Sequence, residues 1–351
     1  MILSSGQHSF VINKAMKEIL NHLFEHKTLS RDQAREVLVN VTAGKYNLSQ
    51  ISSFLTVYMM RSITVEELEG FRNALLELCH RVDLDAYNPI DLCGTGGDGK
   101  DTFNISTVSS FVVAAAGVHV AKHGNYGVSS SCGSSNVLEA LGIKFTTDDD
   151  VLERSIDKYN ICFLHAPLFH PAMKSVGPIR RDLGVKTFFN MLGPMVNPAF
   201  PKRQMVGVFS LELARMYGYL YQQQPDVSYS IIHTLDGYDE VSLTSPFKVI
   251  SDNREALYDA EMLGLPTLQH AQIKGGEDVA ASARLFLQVL QGAGTEAQTA
   301  VVAANAGMAL QTARPELTPQ EAVAQAKEIL ASGKAYELFN RYIQDKALVE
   351  A

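Results

Sequence analysis

Three segments of the sequence concentrate residues that could do chemistry. The first runs Asp91-Leu-Cys-Gly-Thr-Gly-Gly-Asp-Gly-Lys-Asp-Thr-Phe-Asn-Ile-Ser-Thr107. An apolar strand ends near Cys93, Gly94, Gly96, Gly97 and Gly99 allow sharp turns with bare backbone N–H groups, and a helix starts near Ser106. Backbone donors at the positive end of a helix make an anion site, and phosphate is its usual occupant. Asn104, Ser106 and Thr107 add side-chain donors at the helix mouth, and Asp98 adds a carboxylate. No Gly-Lys-Ser/Thr follows, so this is not a P-loop, and no third glycine completes the dinucleotide fingerprint. Glycine runs alone also occur in turns that merely join a strand to a helix; the flanking Phe103-Asn-Ile-Ser-Thr107 favours the anion site.

The second segment, Lys122-His-Gly-Asn-Tyr-Gly-Val-Ser-Ser-Ser-Cys-Gly-Ser-Ser135, also follows a short strand and precedes a helix. In a parallel sheet the two loops leave the carboxyl ends of their strands and face one crevice. Lys122 offers the compact charge a pyrophosphate needs. His123 and Asn125 can hydrogen-bond a sugar or an acceptor, although His123 taken alone reads as a structural hydrogen-bonder. The third segment is Asp236-Gly-Tyr-Asp-Glu240, after the strand Tyr-Ser-Ile-Ile-His-Thr-Leu. Adjacent Asp239 and Glu240 suit a hard cation that also binds phosphate oxygens. An exposed acidic turn is the plain alternative. Asp148-Asp149-Asp150 reads as a solvated helix start.

The elements that must position these segments fall into two groups. Residues 10 to about 80 predict short amphipathic helices, with Ile19, Leu20, Leu23 and Phe24 on one face, and Ser30, Ser49 and Thr64 as N-caps. The charges there read as solvated, with nothing chemical among them. From Asn88-Pro89 onward, short apolar runs alternate with helical stretches, which implies parallel strands with crossover helices. Residues 204–210, 229–235 and 241–245 read as further strands. The tail from Asp278 reads as helical, closed by the amphipathic helix of residues 318–332. The sequence thus predicts an α/β fold: a small N-terminal helical bundle over 1–80 and a larger α/β domain over 81–351.

With 46% hydrophobic and 19% charged residues, the 351-residue chain can build sizeable cores. Its formal net charge of -8 argues against a general nucleic-acid binder. Cys79, Cys93, Cys132 and Cys162 form no CxxC pair, so free thiols in a reducing cytoplasm are expected. No uninterrupted apolar stretch approaches the roughly 20 residues that span a bilayer.

GTGGD, FNIST, KHGN, GSSNVLEALG, HAPLFHPAM, PIRRDLG, FFNMLGPMVNP and DGYDEVS occur in the order found in the anthranilate phosphoribosyltransferase family, which the chain resembles to about residue 245 and more weakly beyond. The resemblance implies transfer of phosphoribosyl from phosphoribosyl pyrophosphate to anthranilate in tryptophan synthesis. It implies a sugar-phosphate site at Gly94, Thr95, Gly96, Gly97, Asp98, Thr102, Asn104, Ser106, Thr107, Lys122 and Ser134. Gly94, His123, Asn125, His170 and Arg180 would line the anthranilate path, Arg180 pairing the carboxylate. One magnesium ion would sit on Ser106 and a second on Asp239 and Glu240. Hinges between bundle and α/β domain, a middle segment near 171–190 packing on the bundle, and a homodimer through the bundle are also implied. No residue is implied as a covalent catalyst. Tyr126, Gly127 and Ser131 depart from the family's commonest residues, often cations at two of these places, which could weaken sugar-phosphate binding or move that role to Lys100, Lys122 or another group; with every other motif intact, a harmless subfamily variant is the favoured reading. A pyrimidine nucleoside phosphorylase-like enzyme and a non-catalytic nucleotide- or nucleic-acid-binding relative are the competing readings.

Overall fold

The computed structural model describes residues 15–127, 132–252 and 254–349. The first four helices are α1 (Met16–Phe24), α2 (Arg31–Thr42), α3 (Leu48–Met60) and α4 (Val65–Leu78). Capping boxes open three of them: Ser30 with Gln33, Asn47 with Gln50, and Thr64 with Glu67. In each, the cap oxygen takes an orphan N–H, and the third residue's side chain accepts from the cap's own N–H. Asn47, not Ser49, therefore caps α3. Asn47→Ala should cost about 1 kcal/mol of stability, and Ser49→Ala less than about 0.5, read from urea midpoints.

On α1 the buried stripe is Met16, Ile19 and Leu23; Phe24 falls off it and is 59% exposed, against the sequence expectation. Nor are all the bundle's charges solvated. Glu67 is fully buried and accepts from Leu29 N–H (2.9 Å), the Tyr58 hydroxyl (3.1 Å), Thr64 N–H (3.0 Å) and the Arg61 guanidinium. Burial pushes its pKa up, but Arg61 and the backbone donors outweigh that and hold it low. This pair pins α3 and α4 to the start of α2.

The α/β part follows as β1 (Ile90–Gly94), α5 (Ile105–Ala115), β2 (Val120–Gly124), α6 (Ser134–Ala140), α7 (Asp149–Tyr159), β3 (Ile161–His165), α8 (Ala166–Phe169), α9 (Pro171–Leu183), β4 (Arg203–Gly207), α10 (Leu211–Tyr221) and β5 (Ser228–Thr234). Asp148 caps α7, accepting from Asp150 and Val151 N–H. Then come β6 (Phe247–Ser251), β7 (Glu255–Tyr258), α11 (Val279–Leu290), α12 (Glu296–Ala313), α13 (Pro319–Ala331), α14 (Lys334–Ile343) and α15 (Lys346–Val349). The seven strands lie in the order β3-β2-β1-β4-β5-β6-β7. The first five are parallel; β6 and β7 run antiparallel at one edge.

Two expectations change here. Residues 241–245 are not a strand: Leu243 has φ 61°, and Asn305 takes both backbone groups of Val241. The helix over 318–332 is not the last, since α14 and α15 follow it. Helix α9 packs on α2, α3 and α4, and its Ala172, Val176 and Ile179 share a core with the bundle. Among the described residues no helix is long and apolar enough to cross a membrane.

The strand order decides where a ligand can sit. From β1 the chain moves outward to β2 and β3, then returns to lay β4 on the other side of β1. That reversal opens a crevice at the carboxyl ends of β1 and β4, where ligands bind in open α/β sheets.

Candidate active site

Gly94 and Gly207 end β1 and β4 and face each other in register. The loop after β5 crosses directly over both. A Cβ on Gly94 would overlap the Asp239 carboxylate, and one on Gly207 would overlap the Asp239 backbone. From Gly94 the chain turns through Gly96, Gly97 and Gly99 at φ 65°, 76° and 74°, where glycine alone has no Cβ penalty. Gly96 N–H donates to Asp239 Oδ2 at 2.6 Å, so the glycine loop and acidic loop are joined. The Asn104 side chain does not cap α5; its Nδ2 donates to Cys132 O at 3.1 Å, leaving the helix mouth open to an anion. Buried hydroxyls of Thr95 and Thr107 have no partner, an arrangement a ligand would complete.

On the β2 side, Lys122 is buried and donates to Leu92 O (2.6 Å) and Ser106 Oγ (3.4 Å). Burial lowers its pKa, opposed by Asp91, which is itself raised by burial. His123 faces Gly193 O through Nδ1 at 3.1 Å. A carbonyl only accepts, so Nδ1 carries the proton and Nε2, buried and unpartnered, is a bare acceptor. Burial and neighbouring His170 hold His123 at about 3, so it is neutral. His170 is also neutral, pushed down to about 4 by burial, and neither ring nitrogen has a well-formed partner. Asn125 is exposed, and its carbonyl accepts from Ser135 N–H and the Ser134 hydroxyl.

Tyr126 lines the same cleft, but its hydroxyl is already engaged. Its hydroxyl donates to Glu139 Oε1 at 2.8 Å and its ring stands edge-on to His165, so it fastens this loop to α6 and offers no spare donor. Gly127 N–H donates to Asn136 Oδ1. Ser131 lies outside the described residues.

Arg180, on α9, donates through Nη2 to Asn190 Oδ1 at 3.3 Å and lies over the Phe189 ring. Burial alone lowers its pKa, and no ion pair with a carboxylate is formed by it among the described residues. At the acidic end, burial and then Asp98 raise Asp239 to about 7, while burial and Asp239 raise Glu240. Asp98 Oδ2 and Glu240 Oε1 are buried without partners.

Every site residue singled out in the sequence lines one cleft of about 290 Å³. Asn305 lines it too, and Lys186 bonds the Gly97 carbonyl from the segment after α9. Neither was singled out beforehand. A lone amide in the run Ala-Val-Val-Ala-Ala-Asn305-Ala-Gly was the only sequence signal for the first; Lys186 had none. Among the described residues no three His, Cys, Asp or Glu side chains form a cage for a metal. A cation on Asp239 and Glu240 therefore needs oxygen ligands from elsewhere, which fits magnesium arriving with phosphates.

The helical bundle set against a mostly parallel sheet, with an anion cradle at the switch point, falls within the glycosyl transferase family. Residues 17–79 match that family's helical bundle domain and residues 86–336 its a/b domain. Over 326 residues the chain is 64% identical to an anthranilate phosphoribosyltransferase of Christiangramia forsetii, covering 93% of this chain and 98% of the relative. Identity to the corresponding Flavobacterium johnsoniae protein is 60% with the same coverage. The solved anthranilate phosphoribosyltransferase of Thermus thermophilus superposes with TM-score 0.86 at 32% identity, over 95% of this chain and 99% of that one. That of Saccharomyces cerevisiae, in complex with PRPP and Mg, shares the fold at TM-score 0.88 and 24% identity, over 96% of this chain and 98% of that one. The chain belongs to the anthranilate phosphoribosyltransferase family.

Proposed function

We propose that the protein transfers the phosphoribosyl group of 5-phosphoribosyl 1-pyrophosphate to anthranilate, releasing pyrophosphate, as a cytoplasmic enzyme of tryptophan biosynthesis. One observation carries this reading: a single cleft holds an open anion cradle, an acidic pair and an arginine with no carboxylate partner. A polyanionic sugar, its cation and an aromatic carboxylate have these complementary needs.

In this reading Gly94, Thr95, Gly96, Gly97, Asp98, Thr102, Asn104, Ser106, Thr107, Lys122 and Ser134 hold the sugar and its phosphates. Charge growing on the leaving pyrophosphate meets fixed N–H and hydroxyl donors, which is electrostatic rather than covalent catalysis. Asp239 with Glu240, and Ser106, would each hold a magnesium ion, whose chemistry is to neutralise pyrophosphate charge as the C1–O bond breaks. Gly94, Asn125, His123, His170 and Arg180 line the acceptor side. Neutral His123, with Nε2 bare, accepts a hydrogen bond from the anthranilate amine and turns its lone pair toward C1. It is too weak a base to deprotonate the amine first, and positioning supplies the advantage. In this reading the protein is a homodimer through the bundle, where Phe24, Leu48 and Met60 are exposed.

The test is loss of anthranilate fluorescence on mixing protein, anthranilate, phosphoribosyl pyrophosphate and magnesium. Loss that requires the protein, phosphoribosyl pyrophosphate and magnesium together is expected. No loss, with the sugar shown to bind, would assign a different acceptor.

A further inference from the structure

The acidic pair sets a mechanical problem. Asp239 and Glu240 are neighbours, and Asp98 lies beside Asp239, so three carboxyls crowd one turn. Besides Gly96 N–H, which holds the Asp239 carboxylate, uncharged side chains brace the turn. Two groups reach its backbone from outside. The Thr234 hydroxyl donates to Glu240 O and accepts from Ser242 N–H. Asn305 does more: its Nδ2 donates to Val241 O at 2.8 Å, and its Oδ1 accepts from Val241 N–H at 3.1 Å. Both backbone groups of the residue after Glu240 are thus gripped by one side chain.

The setting of Asn305 makes a merely incidental role hard to sustain. Helix α12 is buried on nearly every side, and Asn305 lies among buried Ala303, Ala304, Ala306 and Gly307. An amide there costs stability unless it is fully bonded, and an apolar residue would pack in its own helix without that demand. The helix itself uses only the Nδ2 bond to Val301 O at 2.9 Å. The remaining two bonds serve the acidic turn.

We propose that Asn305 is the positioning residue of the acidic pair, holding Asp239 and Glu240 in place for a divalent cation. This rests on reading that pair as the cation site. The probe is Mn²⁺ in the presence of pyrophosphate, whose oxygens complete its shell, with binding to the protein followed by electron paramagnetic resonance beside steady-state kinetics in magnesium. Asn305→Ala should weaken Mn²⁺ binding about tenfold and raise the magnesium needed for half-maximal rate in parallel, with KM for anthranilate unchanged. Asn305→Ser, which can keep only one of the two bonds, should fall between, and it carries the test if the alanine variant does not fold. Thr312→Val is the stability control. On the same helix, the Thr312 hydroxyl donates to Met308 O and accepts from the Ser230 hydroxyl, away from the turn. It should lower the unfolding temperature and leave Mn²⁺ binding alone. Equal loss of Mn²⁺ in Thr312→Val, or none in either Asn305 variant, overturns the proposal. If Asp239→Asn/Glu240→Gln also binds Mn²⁺ normally, the reading of the pair itself has failed, not only the role of Asn305.

Discussion

Asp239→Asn/Glu240→Gln will lower kcat/KM by at least about 10³-fold while making the substrate-free protein more stable. The activity loss corresponds to about 4 kcal/mol of transition-state stabilisation, the scale on which a clamp for leaving-group charge contributes. The stability gain follows from the electrostatics of the empty turn. Burial and Asp98 raise Asp239 to about 7, and burial and Asp239 raise Glu240. A carboxyl with a raised folded pKa stabilises the fold below its unfolded pKa, near 4, and that contribution is lost as pH climbs through the folded value. The substrate-free parent should therefore lose roughly 1–3 kcal/mol between pH 4 and pH 8 from this turn, after allowing for the solvent that still reaches it. The amide variant lacks both charges and should show a flatter profile, crossing above the parent at neutral pH. Urea unfolding across that range checks the sign. A variant less stable than the parent at pH 8 would mean that the charges are compensated in the empty cleft.

The same turn shows where sequence reasoning reaches and where it stops. Strand ends, glycine turns and caps are local, so GTGGD, FNIST and the caps Ser30 and Thr64 are legible residue by residue, although their capping-box partners Gln33 and Glu67 are not read there. Asn47 and Ser49 are both good caps two residues apart, and the choice fell to Gln50, three residues after Asn47. Val241–Ser245 has the alternation of a strand but lies next to an amide from a helix 64 residues away. No local pattern contains that contact. Glu67 reads as a surface charge until Arg61, Tyr58 and the start of α2 close over it. The edge strands β6 and β7 went unread because their residues pair antiparallel after a run that otherwise announces parallel crossovers. Lys186 shows the same limit: it reaches the Gly97 carbonyl across 89 positions of sequence. Local chemistry was written in the motifs, whereas the supports that aim it are long-range.

Arg180→Ala should raise KM for anthranilate roughly 100-fold and leave KM for phosphoribosyl pyrophosphate within about twofold. Its guanidinium is half-buried, bonded only to the neutral Asn190 amide and stacked on Phe189, with burial alone setting its pKa below the usual arginine value. A positive charge taken from water without a carboxylate partner is costly to the empty protein. A ligand carboxylate relieves that cost and gains charge-assisted hydrogen bonds of about 3 kcal/mol, which is the factor of roughly 100. Arg180→Lys should recover only part of it, because an ammonium cannot make the planar two-point contact or keep the stack on Phe189. The split between the two KM values carries the decision. Removing a group that only braces α9 against Phe189 would disturb both substrates, since the segment after α9 also carries Lys186 onto the glycine loop. A rise confined to the sugar would instead place Arg180 on a phosphate, and the acceptor's carboxylate would need another partner. With Lys122 buried and bonded to Leu92 O, the cleft lining among the described residues offers no second arginine or lysine for that task.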